Sequence, residues 1–288
     1  MRSNVTEYDL IAPGSLDAAL QILAASPDHY TPIAGGTELM VALGAGRLQS
    51  KKLISLWNLS ELRFIEVTPD ALVIGGGTTF TDIRKHPVIA REFSILAQAA
   101  SWTGSIANQN RGTLGGNIVN ASPAADSPPV LLAYDATVTL VSIRGARTIP
   151  YNDFHLAYKE TALEPHELLH SITLLRNLKG YKSYIRKVGP RNAQAISKVA
   201  VAALALVTEG EERVIQDIRI GAASLREYPA RLTATEKTLL HQPITPATIA
   251  AARAAILTEA RPIDDIRSTA KYRANVAANL LEEFLKTL

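Results

Sequence analysis

The chain has 288 residues, 47% hydrophobic and 20% charged, which suits two domains with a substantial core and argues against disorder. Its 30 Lys and Arg against 27 Asp and Glu are scattered and leave a net charge of +3, which argues against a nucleic-acid surface. The sequence contains no cysteine, which excludes disulfides, cysteine-ligated zinc and iron–sulfur clusters within it. No apolar run reaches the roughly 20 residues of a membrane span, and the polar residues 1–9 show no signal-peptide pattern, so the cytoplasm is the expected compartment.

In chain order, Ser15 is placed to cap a helix whose apolar positions Leu16, Ala19, Leu20 and Leu23 share one face, with Pro27 closing it. Residues 30–34 read as a short strand ended by Gly35-Gly36, and residues 37–43 resume with helical spacing, so the N–H groups of the turn face any anion on the loop. Residues 52–56 form a second buried strand, and residues 62–67 and 71–74 two more around a Pro69-Asp70 turn. Gly75-Gly76-Gly77-Thr78-Thr79 follows; Thr81 is expected to cap a helix beginning at Asp82, while Thr78 and Thr79 fit either a structural or a ligand-lining role. Residues 91–102 read as one helix, with Trp102 in the core.

Residues 113–126, T-L-G-G-N-I-V-N-A-S-P-A-A-D, form the central stretch. Adjacent Gly115 and Gly116 allow a tight turn and a close backbone approach, and Thr113, Asn117, Asn120 and Ser122 surround it with short polar side chains. Such a loop suits a phosphate-bearing cofactor, yet alone it reads equally as a turn between apolar segments. The earlier Ile33-Ala34-Gly35-Gly36-Thr37-Glu38-Leu39 repeats its logic and shifts the weight toward a shared ligand. Beyond it, Pro128-Pro129 restarts the chain into a buried helical turn at residues 130–133, and residues 137–143 pair with 147–149 in a hairpin around Arg144-Gly145.

His166-Glu167-Leu168-Leu169-His170 matches H-E-x-x-H, which in a zinc peptidase places two histidine ligands one helical turn apart and a glutamate beside the metal-bound water. That chemistry needs a helix, and the β-branched alternation of residues 171–175 reads as a strand. Residues 180–188, 195–207 and 214–220 read as three further strands, and residues 230–240, 245–258 and 268–285 as helices. The expected class is therefore α+β, with a smaller C-terminal domain of a three-stranded sheet and helices.

A-G-G-T-E-L at residues 34–39, together with G-T-L-G-G-N-I-V-N-A-S-P-A-A-D at residues 112–126, resembles the FAD-binding subunit of the xanthine dehydrogenase family of molybdenum hydroxylases. The resemblance spans nearly the whole chain, and Ser268-Thr269-Ala270-Lys271-Tyr272-Arg273 resembles the S-x-x-Y-R that opens the family's last helix. It implies a two-part PCMH-type FAD-binding domain over residues 1–176, with subdomains about 1–57 and 58–176, and a C-terminal domain over 177–288. It also implies that Ile33, Ala34, Gly35, Gly36, Thr37, Glu38 and Leu39 lie along the pyrophosphate and adenine side of FAD, with Thr113, Gly116, Asn117, Asn120 and Asp126 opposite. Leu169 would then pack near the flavin ring and Lys187 approach its pyrimidine end, although Lys187 alone reads equally as a solvated strand lysine. The implied partners are a large molybdopterin-binding subunit and a small subunit with two-iron clusters, with NAD or another acceptor taking the electrons. One departure stands out: relatives commonly carry Q-I-R-N where this chain has Ala107-Asn108-Gln109-Asn110, so Gln109 occupies a position often held by arginine.

Overall fold

The structure, a computed structural model, describes residues 5–191 and 194–288. The first layer comprises β1 (Asp9–Ile11), α1 (Leu16–Ala25), β2 (Thr31–Ile33), α2 (Leu39–Gly44) and β3 (Lys52–Ser55). Its strands are parallel in the order β1-β3-β2. Ser15 caps α1 by accepting from the Ala18 N–H, and Ala19, Leu20 and Leu23 are buried against Ile54, Leu59 and Leu62, as the helical spacing requires.

A second sheet contains β4 (Ile65–Val67), β5 (Ala71–Gly75), β6 (Thr137–Ser142), β7 (Gly145–Pro150) and β10 (Leu168–Leu175), antiparallel in the order β4-β5-β10-β6-β7. A short pair, β8 (His155–Ala157) with β9 (Glu160–Thr161), precedes β10. Six short helices cross between β5 and β6: α3 (Phe80–Lys85), α4 (Pro87–Glu92), α5 (Ser94–Trp102), α6 (Ile106–Gln109), α7 (Leu114–Val119) and α8 (Pro128–Ala133). Two local expectations change here. Thr79, not Thr81, caps α3, because Asp82 lies three residues on and completes a reciprocal capping box; the Thr81 hydroxyl instead reaches Asn110 Oδ1 at 2.6 Å. The helix expected over residues 91–102 breaks at Phe93, whose backbone leaves the helical region (φ −124°, ψ 47°) while its ring is fully buried.

The third sheet, β11 (Lys182–Val188), β12 (Val199–Val207), β13 (Ile215–Ala223) and β14 (Ala230–Arg231), is antiparallel and followed by α9 (Thr233–Leu239), α10 (Pro246–Glu259) and α11 (Ala270–Leu285). The two-residue β14 adds a fourth strand at residues where the sequence reading begins a helix. The β12 sequence V-A-V-A-A-L-A-L-V is apolar throughout because both of its faces are covered. Val199, Val201, Ala203 and Ala205 pack with α10 and α11, whereas Ala202 and Leu204 join the core beneath the second sheet. Contact on that side is close: a Cβ on Gly221 would lie 2.0 Å from the Pro129 carbonyl oxygen of α8.

His155 sits in this shared interior, 4% exposed, with Tyr151 Oη 3.0 Å from its Nε2 and no partner for Nδ1 among the described residues. Burial pushes its pKa down to about 4 from 6.5, so the folded state requires the neutral ring. The unfolded chain takes up this proton as pH falls below 6.5, while the folded chain resists until about 4. Stability conferred by the neutral ring is therefore full above 6.5 and lost through that window at about 1.4 kcal/mol per unit. Denaturant titrations at pH 7 and pH 5 are expected to show the wild type losing about 2 kcal/mol more than His155→Leu on acidification. Parallel profiles would contradict this assignment.

Candidate functional site

Three glycine-containing stretches stack on one another at the junction of the first two sheets. Gly35 rests directly on the backbone of residues 111–112: a Cβ there would lie 1.7 Å from the Arg111 oxygen and 2.4 Å from its carbonyl carbon. Gly36 has φ +76°, a conformation that glycine adopts without steric cost. Arg111 Nε donates to the Gly35 oxygen at 3.4 Å, and its guanidinium lies 3.7 Å from the Trp57 ring centroid, with Arg63 at 5.6 Å from the same ring. On the other side of this turn, Leu114 N–H donates to Thr78 O (3.0 Å) and Gly115 N–H to Gly76 O (2.9 Å). Gly76 N–H in turn donates to His170 O at 2.7 Å, and a Cβ on Gly76 would lie 2.4 Å from Leu169 O. Leu169, 6% exposed at the start of β10, is thus joined through Gly76 to the central loop, which Gly35 meets at Arg111.

Ile33 ends β2, Ala34 follows it, and Gly35, Gly36, Thr37 and Glu38 form the turn into α2 at Leu39. Among the described residues, the N–H groups of Gly35, Gly36, Thr37 and Glu38 have no acceptor. Thr113 caps α7, its Oγ1 accepting from Gly116 N–H at 3.1 Å, while Gly116 itself is exposed. Asn117 Oδ1 accepts from the Ser127 hydroxyl (2.5 Å), and Lys159 Nζ donates to both oxygens of Asn120. Each amide oxygen is thereby occupied, and each NH2 remains a donor with no partner among the described residues.

Asp126 and Lys187 pair with one another, Oδ2 to Nζ at 2.7 Å, with side chains only 11% and 10% exposed. Ser197 Oγ donates to Asp126 Oδ1 at 3.0 Å, and Lys187 also donates to the Trp102 oxygen at 3.2 Å. Burial raises the Asp126 carboxyl above its ordinary pKa despite the opposing pull of Lys187 and Ser197. The pair thus links β11 to the segment after α7. Gln109, at the departure from the family pattern, is 2% exposed and turned inward, its Nε2 donating to Ser101 O at 2.9 Å.

The zinc reading of residues 166–170 is overturned. Leu168, Leu169 and His170 lie in β10, where a bulge between Leu169 and Ser171 interrupts the register, so no helix aligns the two histidines. Glu167 is 5% exposed and gripped by Arg147 through both oxygens at 2.6 Å, which holds its pKa below the ordinary carboxylate range against its burial and leaves no free base. His166 sits instead with Glu164 and Arg144, and the described residues contain no cluster of three metal-ligating side chains. The His166→Ala/His170→Ala double variant is expected to keep wild-type FAD content and to change bound zinc by nothing measurable by plasma mass spectrometry. Stoichiometric zinc lost on substitution would reverse this conclusion.

The stacked loops bring backbone and polar donors together at one place. Backbone atoms occupy the space that a Cβ would fill at Gly35, Gly76 and Gly115, and the turns offer N–H and amide donors to an anion. Residues 6–174 match the family described as "FAD binding domain in molybdopterin dehydrogenase", and residues 184–288 that described as "CO dehydrogenase flavoprotein C-terminal domain". The protein is thus an FAD-binding subunit of a molybdenum-dependent oxidoreductase. It belongs to the medium subunits of the xanthine dehydrogenase and CO dehydrogenase family.

The chain is 28% identical to the glyceraldehyde dehydrogenase medium chain of Sulfolobus acidocaldarius over 97% of its own length and 98% of the relative's. It is likewise 28% identical to a putative xanthine dehydrogenase FAD-binding subunit of Escherichia coli, covering 94% and 92%. Among solved structures it superposes on carbon monoxide dehydrogenase from Hydrogenophaga pseudoflava with a TM-score of 0.90 and 26% identity, covering 96% of this chain and 95% of that one. The homologues are subunits of multi-subunit molybdenum hydroxylases. Sequence reading left several contributors to this site unassigned. Trp57 and Ser197 carry no motif, and the glycine run at residues 75–77, whose threonines fitted either a structural or a ligand-lining role, is placed by the structure against the central loop.

Proposed function

We propose that FAD lies across the turn of residues 33–39 and the loop of residues 113–126, and that this subunit passes electrons from a partner's iron–sulfur clusters to NAD or another acceptor. Bound FAD supplies a redox centre able to accept and release electrons. The chain's own residues hold and bias it. Gly35, Gly36, Thr37 and Glu38 offer backbone donors on one side, with Ile33, Ala34 and Leu39 flanking them, while Thr113, Gly116, Asn117 and Asn120 line the other. Leu169 gives the ring an apolar contact. Lys187, oriented by Asp126, supplies positive charge that favours the reduced state.

Because the chain has no cysteine, the iron–sulfur clusters belong to a small partner subunit, and substrate oxidation to a large molybdenum-cofactor subunit. The chain divides into a FAD-binding domain over residues 1–176, itself split near residue 57, and a C-terminal domain over 177–288; the two family matches, over 6–174 and 184–288, support the boundary near 176. The cytoplasm is the proposed compartment; no helix of the described residues is long and apolar enough to cross a membrane.

The observation that carries the placement of FAD is the direct seating of Gly35 on the Arg111 backbone, which brings the two loops to one place. Purification of the native assembly tests the relay: FAD should reside in this chain and bleach when the complex is given its reductant. A flavin that stays oxidised while the clusters reduce would contradict the electron path.

A further inference from the structure

Lys159 lies at the turn between β8 and β9, in a stretch that no motif singles out, yet its ammonium reaches across 39 positions to α7. Nζ is 2.5 Å from the Asn120 main-chain oxygen and 3.0 Å from Asn120 Oδ1. Two non-glycine residues at this contact adopt left-handed backbone conformations, Lys159 at φ 60° and Ala121 at φ 48°. Such conformations carry steric strain for residues with a Cβ and persist where the surroundings fix them. Glu38 of the first glycine turn acts on the same ammonium electrostatically, opposing the burial that lowers its pKa. Lys159 is thus tied to one loop by hydrogen bonds and to the other by charge.

The consequence lies in the orientation of the Asn120 amide. An ammonium has only donors, so the atom facing Lys159 must be Oδ1, and the NH2 group must face away from it. We infer that Lys159 is a positioning residue for FAD: by holding Asn120 Oδ1, it fixes the amide so that Nδ2 is presented as a hydrogen-bond donor to the anionic cofactor. This rests on the proposed placement of FAD against Asn120. With methionine at position 159, the amide is free to turn its oxygen toward the cofactor, replacing an attraction with a repulsion. Arginine, also a pure donor, preserves the constraint.

FAD titration of the 288-residue apo-chain, followed by flavin fluorescence, tests this alongside thermal melts without FAD. Lys159→Met is expected to weaken FAD binding about tenfold, and Lys159→Arg to recover most of it. Lys159→Met/Asn120→Ala is expected to bind no more weakly than Asn120→Ala. Asn120→Asp, which keeps an acceptor for Lys159 but removes the NH2, is expected to weaken binding at least as much as Lys159→Met, with its apo melt unchanged. Binding by Lys159→Met within about twofold of wild type overturns the inference, as do an arginine variant no better than methionine and additive losses in the double variant. Retention of FAD by Gly35→Ala would instead sink the loop placement beneath it.

Discussion

Gly35→Ala is expected to leave the purified chain with less than roughly a tenth of the wild-type FAD content. The added Cβ would stand 1.7 Å from the Arg111 oxygen and 2.4 Å from its carbonyl carbon. Both are main-chain atoms, so no side-chain rotation relieves the overlap. The two loops must separate, and a cofactor that depends on donors from both loses its geometry. Gly44→Ala provides the control. Gly44 lies in α2, close in sequence to the same turn, but a Cβ there meets nothing within 4 Å. That variant should keep its FAD. The flavin absorbance ratio of the two purified proteins decides the matter, and equal ratios would refute the seating of one loop on the other.

Lys187→Met carries the second large expected effect, on stability. The ion pair with Asp126 is nearly enclosed, and removal of one member of such a pair costs about 3–5 kcal/mol because the other is left uncompensated. Asp126 already has a raised pKa, and loss of the ammonium raises it further. A carboxyl whose folded pKa exceeds its unfolded value holds its proton more tightly when folded. The variant is therefore expected to be least impaired near the unfolded carboxyl pKa and increasingly impaired as pH rises toward the raised folded one. Chemical denaturation at pH 5 and pH 8 should show the larger deficit at pH 8, and the Lys187→Met/Asp126→Asn double variant should regain much of it. A deficit independent of pH, with no recovery in the double variant, would show that Lys187 acts through packing alone.

Much of the fold was legible where one physical signal dominated. The face of α1 and the β6–β7 hairpin follow from periodicity and turn chemistry. The motif resemblance supplied the pairing of the two glycine loops, which local spacing alone left open, and the Gly35–Arg111 contact accounts for it physically. What remained hidden turns on side-chain choices, burial and pairings that no local period encodes. The choice of Thr79 over Thr81 as the α3 cap turns on the reciprocal bond from Asp82, and the break at Phe93 on burial of one ring. The extra strand β14 has two residues, too few for any period to show. Nothing near Lys159 announces a contact with Asn120, just as nothing near Lys187 announces Asp126, 61 positions away. The H-E-x-x-H motif shows the converse: five residues match a metal-site pattern while the β-branched residues after them already specify a strand.

Amide hydrogen exchange with and without FAD, read peptide by peptide by mass spectrometry, tests the central claim most directly. Peptides spanning residues 33–39 and 113–120 should slow together on addition of FAD and share one midpoint when the cofactor is titrated, while peptides of α9 and α10 remain unchanged. Protection confined to one of the two loops, or arising at separate FAD concentrations, would contradict a single cofactor held between them.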